Sequence, residues 1–250
     1  MSILGGHTIV FLPGLDGTGI SFEPLQRVLP KDVDSKVVRY PPDRLLSFED
    51  TVEQAWEQAH TAQGDILVLA ESFSGPVAVE LVGSGRLKAK ALILSSTFAR
   101  WPRPRFLKIL SHAPLEAMMR IPWPKSLLQT VIEGGAETAD LFLDMWKRVR
   151  MLVPAKVLAH RIKMLRRVDV RHWLAKTTVP CLYLQASRDR TVPPSALFDF
   201  VERVPDLRVR RIKGPHFILQ AQPRACLDAI LDFMRLAETG SDEGAPRTRP

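Results

Sequence analysis

Ser72 sits in "LVLAESFSGPVAVEL", between the unbroken apolar run Leu67–Ala70 and the helix-like run Pro76–Leu81. A serine hydroxyl is a weak nucleophile until a neighbouring base takes its proton. His216, in "IKGPHFILQAQP", is the histidine best placed to be that base, in a loop between the last strand-like run and the last helix-like one. The other five are poorer: His7 is at the start, His60 is late in a helix, and His112, His160 and His172 fall between the fourth and fifth strands. Such a base needs a third group to fix its tautomer, usually a carboxylate. Asp189, in "LYLQASRDRTVPPSA", follows the fifth strand and can fill that place. Asp199 and Asp206 are the fallback acids, on solvent-facing helix or turn positions. The flanking Arg188 and Arg190 also fit a surface ion pair for Asp189, although such pairs are weak and do not require this location.

The bend at Ser72 fits a nucleophile elbow, whose usual form Gly-x-Ser-x-Gly keeps both flanks small where the chain reverses. Here the flanks are Ala70 and Ser74, with Gly75 beyond. Centring the motif on Ser74 would put Pro76 in a flank, so Ser72 is read as the nucleophile and Ser74 as a small spacer. Taken alone, the bend fits a serine N-cap after a strand-to-helix loop equally well. An attacked carbonyl also needs backbone N–H groups aimed at its developing oxyanion. The Gly-rich "FLPGLDGTG" after the first strand is suited to this, with Leu15 and Phe73 as the expected donors. A phosphate-binding loop is the rival reading of Gly14, Gly17 and Gly19, but neither Gly-x-Gly-x-x-Gly nor a Lys-Ser/Thr ending is present.

The elements that must position these residues alternate. Strands are expected at His7–Leu12, Ser35–Tyr40, Asp65–Ala70, Ala89–Ser95, Pro180–Gln185 and Leu207–Ile212. Helices are expected at Phe48–Ala62, Pro76–Val82, Ser195–Val204 and Pro223–Leu236. That order argues a mostly parallel sheet covered on both faces. Residues 100–178 break the alternation with "WPRPRF", "IPWPKS" and the helical patterns Leu141–Val153 and Ala155–Val168. The expected organisation is therefore a core of residues 1–99 and 179–237, a helical cap of residues 100–178, and a polar, disordered tail of residues 238–250.

A length of 250 residues fits one large α/β domain or a core plus a smaller inserted module. No apolar run approaches a membrane span, and the N-terminus lacks the pattern of a secretory signal, so a cytoplasmic protein is expected. Cys181 and Cys226 read as buried thiols, and no Cys/His cluster suggests a metal. The formal charge of +8 is uneven: residues 100–178 hold 16 Lys+Arg against 6 Asp+Glu, a net +10, whereas residues 1–99 hold 8 against 12.

Four stretches in this order, "FLPGLDGTG", "LAESFSGPVA", "SRDRTVPPSA" and "GPHFILQAQP", resemble the α/β-hydrolase family over nearly all of residues 7–236. The resemblance implies the α/β-hydrolase fold, with about six strands, an inserted helical cap and no cofactor or metal. It implies two-step acyl transfer, with Ser72 as nucleophile, His216 as general base and then acid, and Asp189 orienting the imidazole. The chain departs from the family pattern at Pro13, where histidine often precedes the oxyanion glycine, and at Ala70 and Ser74, which replace the elbow glycines. A serine nucleophile argues against the family's dehalogenases and epoxide hydrolases, which carry aspartate there.

Within the expected cap, Trp101, Phe106, Leu110, Met118, Met119, Ile121, Trp123 and Trp146 are candidates for an apolar acyl slot, against the simpler reading that they pack cap helices together. The Arg-rich cap resembles that of pimeloyl-acyl-carrier-protein methyl ester esterases, in which an acidic carrier protein docks on the cap. "PGLDGTG" also resembles plant enzymes that esterify phytol or diacylglycerol. The leading expectation is a carboxylic ester hydrolase, with a thioesterase or acyltransferase as same-fold alternatives and a non-catalytic binding or scaffold protein as the alternative of another class. Nucleic-acid binding is not expected, because no recognition motif accompanies the basic segment.

Overall fold

The computed structural model describes residues 2–101, 115–120 and 135–239, apart from the side chains of Met118 and of residues 135–139. Six strands form one all-parallel sheet in the order β2-β1-β3-β4-β5-β6: β1 His7–Leu12, β2 Asp34–Val37, β3 Asp65–Glu71, β4 Ala91–Ser95, β5 Cys181–Ala186 and β6 Leu207–Ile212. Alternate residues of each central strand face opposite layers, so both faces are apolar. Val10, Leu12, Val68, Ala70, Leu92 and Leu94 pack with helices α2 (Phe48–Ala59) and α3 (Gly75–Gly83). Ile9, Phe11, Leu67, Leu69, Ile93 and Leu184 pack on the other side with α1 (Glu23–Gln26) and the last helix, α10 (Pro223–Thr239). Burial on two sides explains why these strands read as continuous apolar runs and do not alternate with polar residues.

The strand order contains the reason for the site's location. The connection after β1 leads to β2 on one side, and the connection after β3 leads to β4 on the other. A crevice opens at the carboxyl ends of two neighbouring strands whose connections diverge in this way. The loop after β1 and the bend after β3 both end there.

Between β4 and β5 lie α4 (Leu115–Arg120), α5 (Gly135–Leu152), α6 (Ala155–Leu165) and α7 (Arg171–Leu174). Met119, Val149, Val153, Val157 and Leu158 form an apolar cluster separate from the two faces of the sheet, and Leu15, Trp146 and Ile162 pack against it. Of the expected acyl-slot residues, Phe106, Leu110, Ile121, Trp123 and the Met118 side chain lie outside the described residues. Trp101 instead packs edge-on against Phe98.

Several boundaries differ from expectation for local reasons. Strand β2 ends at Val37, not Tyr40, because the Tyr40 N–H donates to the Gly17 carbonyl (2.9 Å) and turns the chain over the loop after β1. The helix expected over Ser195–Val204 begins as a 3-10 turn, Pro194–Leu197, before α8 (Phe198–Arg203). Helix α10 runs to Thr239 and so takes in the first two residues of the expected tail; residues 240–250 lie outside the described residues.

Candidate active site

Buried β3 delivers the chain to Ser72, which adopts the left-handed backbone conformation, φ 48°. A non-glycine residue pays strain there, and such strain is retained where the fold over-determines the turn. Two contacts with the chain just beyond β4 provide that constraint. Thr97 Oγ1 donates to the Ser72 carbonyl (2.5 Å). A Cβ on Gly75 would lie 1.9 Å from Thr97 Oγ1, so the start of α3 can approach β4 only with glycine at this position. The glycine this elbow needs is therefore Gly75, one residue later than in the common motif. Ala70 and Ser74 are tolerated in the usual glycine positions.

Ser74 is more than the small spacer expected. It is fully buried, its Oγ donates to the Pro13 carbonyl (2.5 Å), and it lies 2.7 Å from the Tyr40 hydroxyl. The elbow is thereby fastened to the loop after β1.

The structure brings Ser72, His216 and Asp189 into one hydrogen-bonded line. His216 Nε2 is 3.0 Å from Ser72 Oγ, and His216 Nδ1 is 2.8 Å from Asp189 Oδ2. In the tautomer with hydrogen on Nδ1, the ring donates to Asp189 and accepts from the serine hydroxyl. The second carboxylate oxygen of Asp189 accepts from the N–H groups of Thr191 and Val192 (both 2.8 Å), which fixes the carboxylate plane. Both side chains of the His216–Asp189 pair are only 6% exposed, whereas Ser72 remains partly open. Burial opposes the charged imidazole, but the Asp189 charge and hydrogen bond, with the Glu71 charge beyond, outweigh it and hold the His216 pKa above the ordinary histidine value. The fallback acids are elsewhere: Asp199 pairs with Arg100 and Arg203, and Asp206 is exposed.

Glu71, Gln220 and Ser21 carry no catalytic signature in the sequence, although Glu71 lies in "LAESFSGPVA" and Gln220 in "GPHFILQAQP". Glu71 is 2% exposed beside the serine. Its Oε1 accepts from Gln220 Nε2 (2.8 Å) and its Oε2 from Ser21 Oγ (3.1 Å). Gln220 also donates to the Ser21 carbonyl (3.0 Å), and it sits on α9 (Ile218–Ala221), just after His216. This network links the elbow to the histidine loop. Desolvation raises the Glu71 pKa above the usual carboxylate range.

Leu15 and Phe73, the expected oxyanion donors, belong to the two segments that Ser74 fastens together. The Phe73 N–H lies in the first turn of the 3-10 helix Ser72–Ser74, where a backbone donor lacks an intrahelical partner. Among the described residues the Leu15 N–H makes no backbone hydrogen bond. Above the site, the Phe142 ring of α5 lies 4.7 Å from Phe217, which in turn lies 5.0 Å from the His216 ring; Trp146 stacks parallel to Phe142 at 6.3 Å.

Cys181 and Cys226 are buried free thiols, pushed up to about 12 by burial. Among the described residues, no His/Cys/Asp/Glu group is arranged to hold a metal ion, and no helix is long and apolar enough to cross a membrane.

No family model matches the chain. A curated relative, phytyl ester synthase 1, chloroplastic, of Arabidopsis thaliana, is 31% identical over 131 residues, which are 48% of this chain and 18% of that protein's length. Among solved structures, the enol-lactonase from Burkholderia xenovorans LB400 superposes with a TM-score of 0.73 at 16% identity, covering 92% of each chain. The esterase from Exiguobacterium antarcticum does so with the same TM-score, identity and coverage. The lipase-esterase related protein from Clostridium acetobutylicum ATCC 824 gives 0.72 at 12% identity, over 93% of this chain and 96% of its own. With its six parallel strands, flanking helices and these superpositions, the chain has the α/β-hydrolase fold.

Proposed function

We propose that the protein is a serine hydrolase of carboxylic esters. The observation that carries this reading is the line from Ser72 Oγ through His216 to Asp189, ending on a serine in a strained backbone conformation at the switch point of the sheet. Ser72 attacks the ester carbonyl while His216 Nε2 takes the hydroxyl proton. The tetrahedral oxyanion is held by the Leu15 and Phe73 N–H groups. His216 then returns the proton to the leaving alcohol as the C–O bond breaks. Water, deprotonated by the same nitrogen, releases the acid and regenerates Ser72. Throughout, Asp189 holds the ring in the productive tautomer.

Residues 100–178 act as the cap that selects the acyl chain. Phe142, Trp146 and Phe217 give an apolar lining beside His216, which fits an apolar acyl or alcohol group. The +10 charge of this segment favours an acidic carrier protein as the bearer of the acyl ester. The test is a series of p-nitrophenyl esters of graded length together with a fluorophosphonate label. Hydrolysis with Ser72 as the labelled residue is expected. An unlabelled Ser72 and no turnover at any length would leave a non-catalytic binding protein.

One observation favours a second reading, acyl transfer to an alcohol: the relative that matches 48% of this chain is named an ester synthase. Partition of the acyl-enzyme between water and an added long-chain alcohol separates the two, since transfer yields a new ester where hydrolysis yields only free acid.

A further inference from the structure

The loop after β1 is held by a cation from the segment between β4 and β5. Arg161, on α6, is 5% exposed, and no carboxylate lies within ion-pair distance of it among the described residues. Its Nη1 donates to the carbonyls of Leu15 (3.0 Å) and Asp16 (2.6 Å), and its Nη2 to the Pro41 carbonyl (3.1 Å). Its guanidinium also lies over the Tyr40 ring at 5.7 Å. A buried cation is costly to desolvate, and here three carbonyl dipoles, a ring face and the nearby Asp16 charge compensate it without a direct ion pair.

Those two adjacent carbonyls belong to the middle of a turn closed by the Gly17 N–H donating to the Gly14 carbonyl (3.0 Å). In a trans peptide the C=O and N–H point in opposite directions. The bond on the Gly14 carbonyl therefore sets the direction of the Leu15 N–H, the donor assigned to the oxyanion. Gly17 has φ 70°, and a Cβ there would lie 2.5 Å from Arg161 Nη1, so the turn and the guanidinium are built against each other. On the opposite flank, Ser74 holds the Pro13 carbonyl.

We propose that Arg161 is a positioning residue: its guanidinium fixes the Gly14–Gly17 turn so that the Leu15 N–H is aimed at the oxyanion, which makes turnover depend on α6 being seated on the loop. This rests on the hydrolase reading of the site. A planar fork of donors is required to bind adjacent carbonyls and a third from another segment at once, and a lysine ammonium cannot reproduce it.

The experiment compares wild type, Arg161→Lys and Arg161→Ala on a p-nitrophenyl ester, with Ser72→Ala as control. Thermal melts establish that each variant is folded. Removing a single oxyanion donor outright costs about 10²–10³ in kcat, so a misaimed one is expected to cost about tenfold or more, with KM little changed. Affinity for a boronate that mimics the tetrahedral state should fall by the same factor as kcat/KM, which a merely structural role would not produce. Millimolar guanidinium should partly restore Arg161→Ala, whereas sodium at equal ionic strength should not. Hydrogen exchange of the peptide covering residues 13–19 should speed up in both variants, whatever reaction the site performs. If Arg161→Ala unfolds, Arg161→Lys carries the same readouts. A folded variant with wild-type kcat and boronate affinity, or with unchanged exchange over residues 13–19, overturns the clamp. Absence of Ser72-dependent hydrolysis in wild type would instead overturn the hydrolase reading, while exchange would still decide whether Arg161 holds the loop.

Discussion

At the carboxyl ends of β3, β5 and β6, polar side chains are few, buried apart from the partly open Ser72, and bonded to one another: Ser72 to His216, His216 to Asp189, Glu71 to Gln220 and Ser21. Between β4 and β5, basic side chains are many, and the structure divides the described ones into two kinds. Some act as fasteners. Arg148 grips the Glu23 carboxylate with both terminal nitrogens (2.9 and 2.5 Å), which holds that carboxyl below its usual range. Arg150 donates to the Arg120 carbonyl, and Arg161 holds the loop after β1. Others, such as Arg166 and Arg167, are exposed. A net charge counted along the sequence therefore overstates what a docking partner would meet, because it adds structural cations to free ones. In the first region each group acts through a specific neighbour, so deleting or mispairing a group bonded directly in the Ser72–His216–Asp189 line should have a large effect. In the second, the exposed cations act through their summed field, and effects should be small and sensitive to salt.

The sharpest test of the first region is Ser72→Ala. It should leave the melt unchanged and lower kcat by about 10⁶, the scale seen when a nucleophile of this kind is deleted. Asp189→Asn comes next, with an expected loss of about 10⁴ in kcat, because the amide would present its N–H to Nδ1 and hold the wrong tautomer. Asp199→Asn should instead show up as a small stability loss, since that carboxylate serves Arg100 and Arg203. Full ester hydrolysis by Asp189→Asn would remove it from the relay. Ser74→Ala should fall between the regions. It strips the buried Pro13 carbonyl and Tyr40 hydroxyl of a partner, an expected cost of about 1–3 kcal/mol in the melt. It also frees the loop that carries Leu15, so kcat should drop about tenfold. A neutral Ser74→Ala would mean the elbow is held by Gly75 and Thr97 alone.

These contrasts also mark what could be read from the residues in order. Strands β1 and β6 fall at their expected limits, because runs such as "HTIVFL" are bounded by glycine or proline. Ser72, Asp189 and His216 stand out because each follows a strand, and strand ends are local features. The fasteners were hidden. Arg161 looked like one more basic residue on a helical face, since its partners are backbone carbonyls of Leu15, Asp16 and Pro41, more than a hundred residues away and without a residue-type signature. Glu71 and Gln220 were in view as letters, but their pairing depends on α9 folding back over β3, which no periodicity encodes. The role of Ser74 is hidden for a related reason. Its smallness was legible, whereas the Pro13 carbonyl it meets comes from another strand's loop.

In the second region, Arg166→Glu with Arg167→Glu is the clean charge reversal. Including Arg148 would break its bond to Glu23 and confound docking with stability. With a carrier-bound acyl ester, the reversal should lower kcat/KM several-fold at low ionic strength, and the difference should shrink as salt rises through the range where screening acts over about 8 Å. A free p-nitrophenyl ester should be unaffected throughout. Equal loss on both substrates would place the effect in the fold and remove the docking role.

The smallest effect expected is a shift in a pH profile, and it belongs to the first region. Hydrolysis needs His216 neutral, so kcat/KM should rise with pH through the pKa of the free enzyme's imidazole. That pKa is raised because Asp189 and, further off, Glu71 stabilise the charged ring more than burial penalises it. Glu71→Gln keeps a group that can accept from Gln220 and meet Ser21, but it removes a negative charge. With less stabilisation of the imidazolium, the His216 pKa must fall, and the acid limb should move to lower pH while the plateau rate stays near wild type. Glu71 is itself buried enough that its own pKa is raised, so its field on His216 is felt only to the extent that it is ionised across that limb. A limb that moves down identifies Glu71 as an ionised neighbour tuning the base. A limb that stays in place, with the plateau intact, identifies it as a neutral strut between the elbow and α9. A collapse of the plateau would show that its hydrogen bonds, and not its charge, hold His216 against Ser72.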